Sequence, residues 1–192
     1  LAVSVASGAP ILGFNPSTTG PVLYLDWESD ANRHANWLAA ICRGADIEPK
    51  YAEVLYRNEV SNLTGSASSL RRTIVERGVV LVIVDSRGVA TGGRMEESGP
   101  TLELFRAIRS LGVPTLVVDH LSKEAIRQRE KLPYGNIYAH NSARITWSLV
   151  TVRNDGANRV TILLTNHKSN NGRLHRKLAY NLDYVVDEDE LL

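Results

Sequence analysis

Three apolar runs in this sequence end abruptly in groups that can do chemistry. Pro21–Leu25 leads into Asp26-Trp27-Glu28, Val79–Val84 into Asp85-Ser86, and Pro114–Val118 into Asp119-His120. A carboxylate such as Asp85 can hold a magnesium ion through its water shell, because Mg²⁺ keeps most of its waters and needs few protein ligands. A carboxylate such as Glu28 can polarise a water for attack on a phosphate. His120 can hydrogen-bond a terminal phosphate and report its loss. Each residue also has a plainer reading: a turn-capping aspartate, a glutamate favoured in a first helical turn by the dipole, and a histidine bonded to backbone. Taken together, the three end their runs in matching register, which points to one shared site.

The elements that position them follow from the same runs. Continuous β-branched stretches indicate strands covered on both faces, as in a parallel sheet. Ligands of open α/β sheets sit beyond the carboxyl ends of such strands. Leu1–Gly8 reads as a helix that stops at Gly8, and Phe14–Gly20 as a turn-rich loop. Asp30 can N-cap a helix through about Arg43 with Gly44 as its stop. Glu53–Arg57 is a short strand, and Ser66–Arg77 a helix stopped by Gly78. The glycines 88, 92 and 93 mark Arg87–Glu97 as a flexible loop, and Gly99–Leu111 carries a helical core stripe. The alternation of strand and helix predicts α/β architecture with a largely parallel central sheet and helices on both faces. Beyond His120 the pattern changes. Ile145–Val152, Arg159–Leu164 and Leu178–Val186 read as antiparallel strands joined by turns at Asn154–Asn158 and Asn170–Gly172, extending the same sheet.

Bulk properties bound the function. The 192 residues suit one domain over 1–192 with one good core. The balance of 22 Lys and Arg against 21 Asp and Glu gives no case for a strongly charged partner. The single cysteine, Cys42, excludes an intramolecular disulfide framework and fits a reducing, cytoplasmic compartment. Beside Trp37, Leu38 and Ile41 it reads as a small core residue. No apolar run approaches the roughly 20 residues of a membrane span, so no membrane partner is expected. The acidic run Asp187–Glu190 reads as a solvated tail.

Here the residues resemble a family. "VLYLDWE" followed by a helix looks like the strand ending in the catalytic glutamate of RecA-like ATPases. "LVIVDS" looks like the Walker B strand, and "TLVVDHLSKE" like the strand ending in the phosphate-sensing residue. "AHNSARITWSLV" and "TILLTNHKSNNGRLHRKLAY" resemble the later strands, and "LAVSVASGAPILGF" the helix and loop just after a P-loop. The likeness is nearest to RepA-type hexameric replicative helicases and related phage or plasmid ATPases. It implies a RecA-like three-layer fold with an antiparallel C-terminal extension, ATP and Mg²⁺ as cofactors, and the motor core of a ring-forming DNA helicase or related DNA-dependent ATPase. It gives Glu28 the role of base, Asp85 with Ser86 that of magnesium organiser, and His120 that of sensor. The sequence departs from the family in having no Gly-x-x-x-x-Gly-Lys-Ser/Thr. That loop, which would grip the β- and γ-phosphates, is expected upstream of Leu1, and the chain as written is expected to bind nucleotide poorly.

The resemblance also implies partners. Lys168 matches the first basic position of a Lys-x-Arg-x-Gly element that reaches the neighbouring subunit's nucleotide in a hexameric ring. Asn170 stands where the arginine would be, and Arg173 or Arg176 could supply it. Lys123, Arg127, Arg129 and Lys131 fall in the loop that would face single-stranded DNA in the channel, with Tyr134 or Tyr138 to stack a base. Two other readings stand beside the motor: a non-hydrolysing DNA-binding or scaffold subunit, and a regulatory ATPase acting on protein partners.

Overall fold

The structure is a computed structural model that describes residues 1–94, 97–120, 137–154 and 159–184. Four strands form a parallel sheet: β1 (Val22–Asp26), β2 (Val54–Asn58), β3 (Leu81–Asp85) and β4 (Thr115–Val117), in the order β2-β1-β3-β4. Helices α1 (Ala2–Ser7), α2 (Ala31–Gly44), α3 (Leu63–Arg77), α4 (Arg87–Thr91) and α5 (Ser98–Ser110) connect and cover them. A short α6 (Ile137–Ser142) precedes three antiparallel strands, β5 (Ile145–Asn154), β6 (Arg159–Ser169) and β7 (Leu178–Asp183).

Side chains alternate across the parallel sheet. Leu23 and Leu25 of β1 and Val82 and Val84 of β3 face one way and pack with Leu63, Leu70 and Ile74 of α3 and Leu104 of α5. The other face is covered by α1 and α2, where Val3, Cys42 and Ala52 form a smaller core. Cys42 is fully buried, as its apolar neighbours led one to expect. Helices therefore lie on both faces, and the α/β architecture read from the sequence is present.

The differences are local. The antiparallel strands are there, but among the described residues they pair only with one another, as a separate sheet ordered β5-β6-β7. The expected loop from Arg87 begins instead with one turn of helix, α4, which ends at Gly92 in the left-handed conformation, φ 70°. Bulk glycine content misled there, because Gly92 is the C-terminal stop of a helix rather than a sign of looseness. Helix α3 starts earlier than Ser66, because Asn62 caps it: its Oδ1 accepts from the Gly65 N–H at 2.9 Å. Asn62→Ala should cost about 1 kcal/mol of stability, seen as a lower urea midpoint with unchanged m value. Asp30 caps α2 as expected, accepting from the N–H groups of Asn32 and Arg33.

Candidate active site

The register of the parallel sheet builds the site. Asp26 of β1 pairs directly with Asp85 of β3 at the carboxyl edge, and Asn58 of β2 continues the row. Just beyond this row the chain turns twice, once into α2 and once into α4. Glu28 and Ser86 occupy those turns, and the Ser86 hydroxyl donates to Oε1 of Glu28. The Asp85–Ser86 peptide bond is cis. His120 lies past the end of β4 with Nε2 at 3.2 and 3.3 Å from the two carboxylate oxygens of Glu28. Glu28 is about two-fifths exposed and His120 more so, which leaves their outer sides open to a ligand. The four residues singled out at the strand ends thus do meet at one edge.

Asp26, which drew no role in the sequence, is the keystone of the first turn. It is buried, and its Oδ1 accepts from the backbone N–H of Glu28 at 2.8 Å and of Ser29 at 3.0 Å. An aspartate bonded to the backbone two residues on is a self-contained turn, so Asp26 sets the path on which Glu28 stands. Its Oδ2 accepts from the Tyr56 hydroxyl at 3.1 Å. Asp85 is held similarly: the Tyr24 hydroxyl donates to its Oδ2 at 2.5 Å. Burial, then the bond to Asp85, pushes the Tyr24 phenol well above its ordinary range, so it remains a donor at any working pH.

A second pair ties the Asp85 and His120 strands together. Arg87, the first residue of α4, is buried and donates from Nε to Oδ2 of Asp119 at 2.6 Å. The Arg87 N–H also donates to the carbonyl of Val118. Burial pushes the Asp119 carboxyl up, and the Arg87 guanidinium pulls it part of the way back. Ser86 and His120, both on Glu28, are thus each adjacent to one member of this ion pair.

Residues 1–125 match the family model described as AAA domain. The chain belongs to this family. Its fold is similar to that of the KaiC-like protein from the hyperthermophilic archaeon Pyrococcus horikoshii OT3, with a TM-score of 0.62 and 17% identity over 86% of this chain and 76% of that one. No curated protein sequence matches the chain significantly. The AAA domain described here is accordingly an ATPase domain of RecA-like fold.

ATP and Mg²⁺ are the groups such a domain implies, and the donor set suits the ion. Asp85, Glu28 and Ser86 offer hard oxygens at one edge. No group of three or more His, Cys, Asp or Glu among the described residues is close enough to ligate a metal unaided. That arrangement fits an ion carried largely by water and phosphate oxygens and held by one or two carboxylates.

The other expected site residues lie elsewhere. Lys168 is near the end of β6, where its ammonium donates to the carbonyls of His140 at 3.0 Å and Asn141 at 2.9 Å, at the end of α6. Arg173 and Arg176, after the turn, are exposed. Lys123, Arg127, Arg129, Lys131 and Tyr134 lie outside the described residues. Sequence reading passed over Tyr24, Tyr56, Arg87 and Asp119. One signal was available for the first two: Tyr24-Leu25-Asp26 and Tyr56-Arg57-Asn58 repeat an aromatic–x–polar pattern on adjacent strands. No described helix is long and apolar enough to cross a membrane.

Proposed function

We infer that this domain is the ATP-hydrolysing motor core of a ring-forming DNA helicase or of a related ATPase driven by single-stranded DNA. The observation that carries the hydrolytic half is the meeting of Glu28, Ser86, Asp85 and His120 at one sheet edge. When bound, ATP with Mg²⁺ supplies the phosphoryl group and neutralises the charge that develops on it. Glu28 orients a water and takes its proton. The Ser86 hydroxyl, donating to its carboxylate, and Asp26 Oδ1, accepting from its N–H, hold Glu28 in place. Asp85 accepts from the waters of the ion. His120 shares Glu28 with Ser86, so a change in its contacts to a terminal phosphate reaches the segment that follows β4. The reading requires a phosphate-gripping loop in addition to these 192 residues.

The DNA and ring assignments rest on the resemblance and on charge. Lys123, Arg127, Arg129 and Lys131 follow His120 directly and are suited to tracking phosphates without reading sequence. Lys168 uses two of its three ammonium donors on main-chain carbonyls. The third is the donor that a role on a neighbouring subunit's nucleotide in a hexamer would use. ATP hydrolysis by the full-length protein, with and without single-stranded DNA, tests the reading. Stimulation by DNA that declines with added salt is expected. Hydrolysis indifferent to DNA favours a regulatory ATPase acting on proteins, and DNA binding without hydrolysis favours a scaffold subunit.

A further inference from the structure

Two tyrosines beneath the site make the same diagonal reach. Tyr24 pairs with Ile83 in the sheet register, and its hydroxyl reaches Asp85, two residues further along the neighbouring strand. Tyr56 pairs with Tyr24, and its hydroxyl reaches Asp26, again two residues further along the neighbouring strand. The repeat follows from the alternation of side chains. Residues 24, 26, 83 and 85 share one face, and a tyrosine is long enough to span the step from its own position to the next aspartate. The His34 ring of α2 sits between the two phenols, with centroids 4.6 Å from Tyr24 and 4.5 Å from Tyr56. It packs against both rings.

Each bond occupies one oxygen of its aspartate and frees the other for a distinct task. On Asp26 the second oxygen carries the N–H groups of Glu28 and Ser29. On Asp85 the bond from Tyr24 takes Oδ2 and leaves Oδ1 for another partner. We propose that Tyr24 and Tyr56 are separate positioning residues: Tyr24 aims Asp85 at the hydrated metal ion, and Tyr56 fixes, through Asp26, the turn that carries Glu28. This rests on the roles given to Asp85 and Glu28 above.

The division of labour makes the two conservative variants behave differently. In the full-length protein, Tyr24→Phe should raise the half-saturating Mg²⁺ concentration for ATP hydrolysis by about 10–100-fold, the usual range for loss of a residue that orients a metal-holding group. Tyr56→Phe should lower kcat about tenfold, with the Mg²⁺ dependence unchanged; one hydrogen bond to a charged group is of that size. A reading that does not depend on turnover accompanies them. Mn²⁺ titration of the complex with a non-hydrolysable ATP analogue, followed by electron paramagnetic resonance, should show weaker binding for Tyr24→Phe alone. Equal losses of both parameters in both variants, with a matching fall in Tm, would mean that the tyrosines only support the sheet. Parental behaviour of both, alongside inactive Asp85→Asn and Glu28→Gln, also overturns this inference but leaves the site assignment standing. If Asp85→Asn and Glu28→Gln themselves hydrolyse ATP normally, the site assignment fails and this inference with it.

Discussion

Glu28→Gln is expected to lower kcat for ATP hydrolysis by about 10²–10⁴-fold, the usual contribution of a positioned general base, while nucleotide binding stays near the parental level. The substitution changes very little besides basicity. Gln has the same length and retains a carbonyl oxygen that can accept from Ser86. The backbone of residue 28 is held independently by Asp26 Oδ1, so the turn should keep its path. What is lost is the capacity to take a proton from an attacking water. An interaction needed only in the transition state lowers kcat and kcat/KM together. A steady-state comparison, with analogue binding measured separately, therefore distinguishes a base from a binding residue. A variant that hydrolyses ATP at the parental rate would remove Glu28 from the chemistry. A variant with normal kcat and raised KM would make it a substrate contact. Single-stranded DNA should not rescue the variant, because DNA acts on a step that Glu28→Gln still lacks.

The strand ends were legible because their code is local. A run of β-branched residues closed by Asp or Asp-Ser marks a buried strand and its carboxyl edge without reference to anything distant, and β1 and β3 fall where those runs lie. Helix limits with a single decisive residue were legible for the same reason. Gly8 and Gly78 stop α1 and α3 in the left-handed conformation, and Asp30 caps α2. What could not be read depends on partners far apart in sequence. Tyr24 looks like one more apolar member of its run until Asp85, 61 residues away, is seen to accept its hydroxyl. Arg87, among glycines, has the look of a solvated loop residue, yet Asp119 draws it into the interior. The antiparallel strands alternate as strands should, but no residue in them states which sheet they join. Pairing is set by the register of β5 on β6 and of β6 on β7. Glu28 was found and Asp26 was missed for a related reason. An exposed glutamate after a strand invites a chemical role, whereas a buried aspartate at its last position reads as the end of the run.

The largest stability effect should come from Arg87. Its guanidinium is almost wholly buried against Asp119, and breaking such a pair by removing one partner typically costs about 3–5 kcal/mol, because the remaining charge is left in the interior. Arg87→Ala is expected to show this loss as a lower urea midpoint, since Asp119 is itself only 15% exposed. Replacing both partners should be milder. Arg87→Met combined with Asp119→Leu leaves no stranded charge and should recover much of the loss, so the double-mutant cycle should be strongly non-additive. The pH dependence carries its own sign. Burial already raises Asp119 above the ordinary aspartate value of 3.8, and Arg87 opposes that rise. Without Arg87 the folded-state value climbs further, so the folded variant binds a proton more readily than the unfolded chain. Stability of the variant then falls as pH rises from the ordinary value through the raised one. The deficit relative to the parent should thus be greatest near neutrality and narrow as the pH is lowered toward the ordinary aspartate range. A deficit that widens on acidification would mean that Arg87 acts through packing or through a partner other than Asp119. The same variant reports on the site, because α4 begins at Arg87 directly after Ser86 and His120 directly follows Asp119. Loosening the pair should separate the Ser86 hydroxyl and the His120 ring from Glu28, so residual folded Arg87→Ala should hydrolyse ATP more slowly than its folded fraction alone predicts.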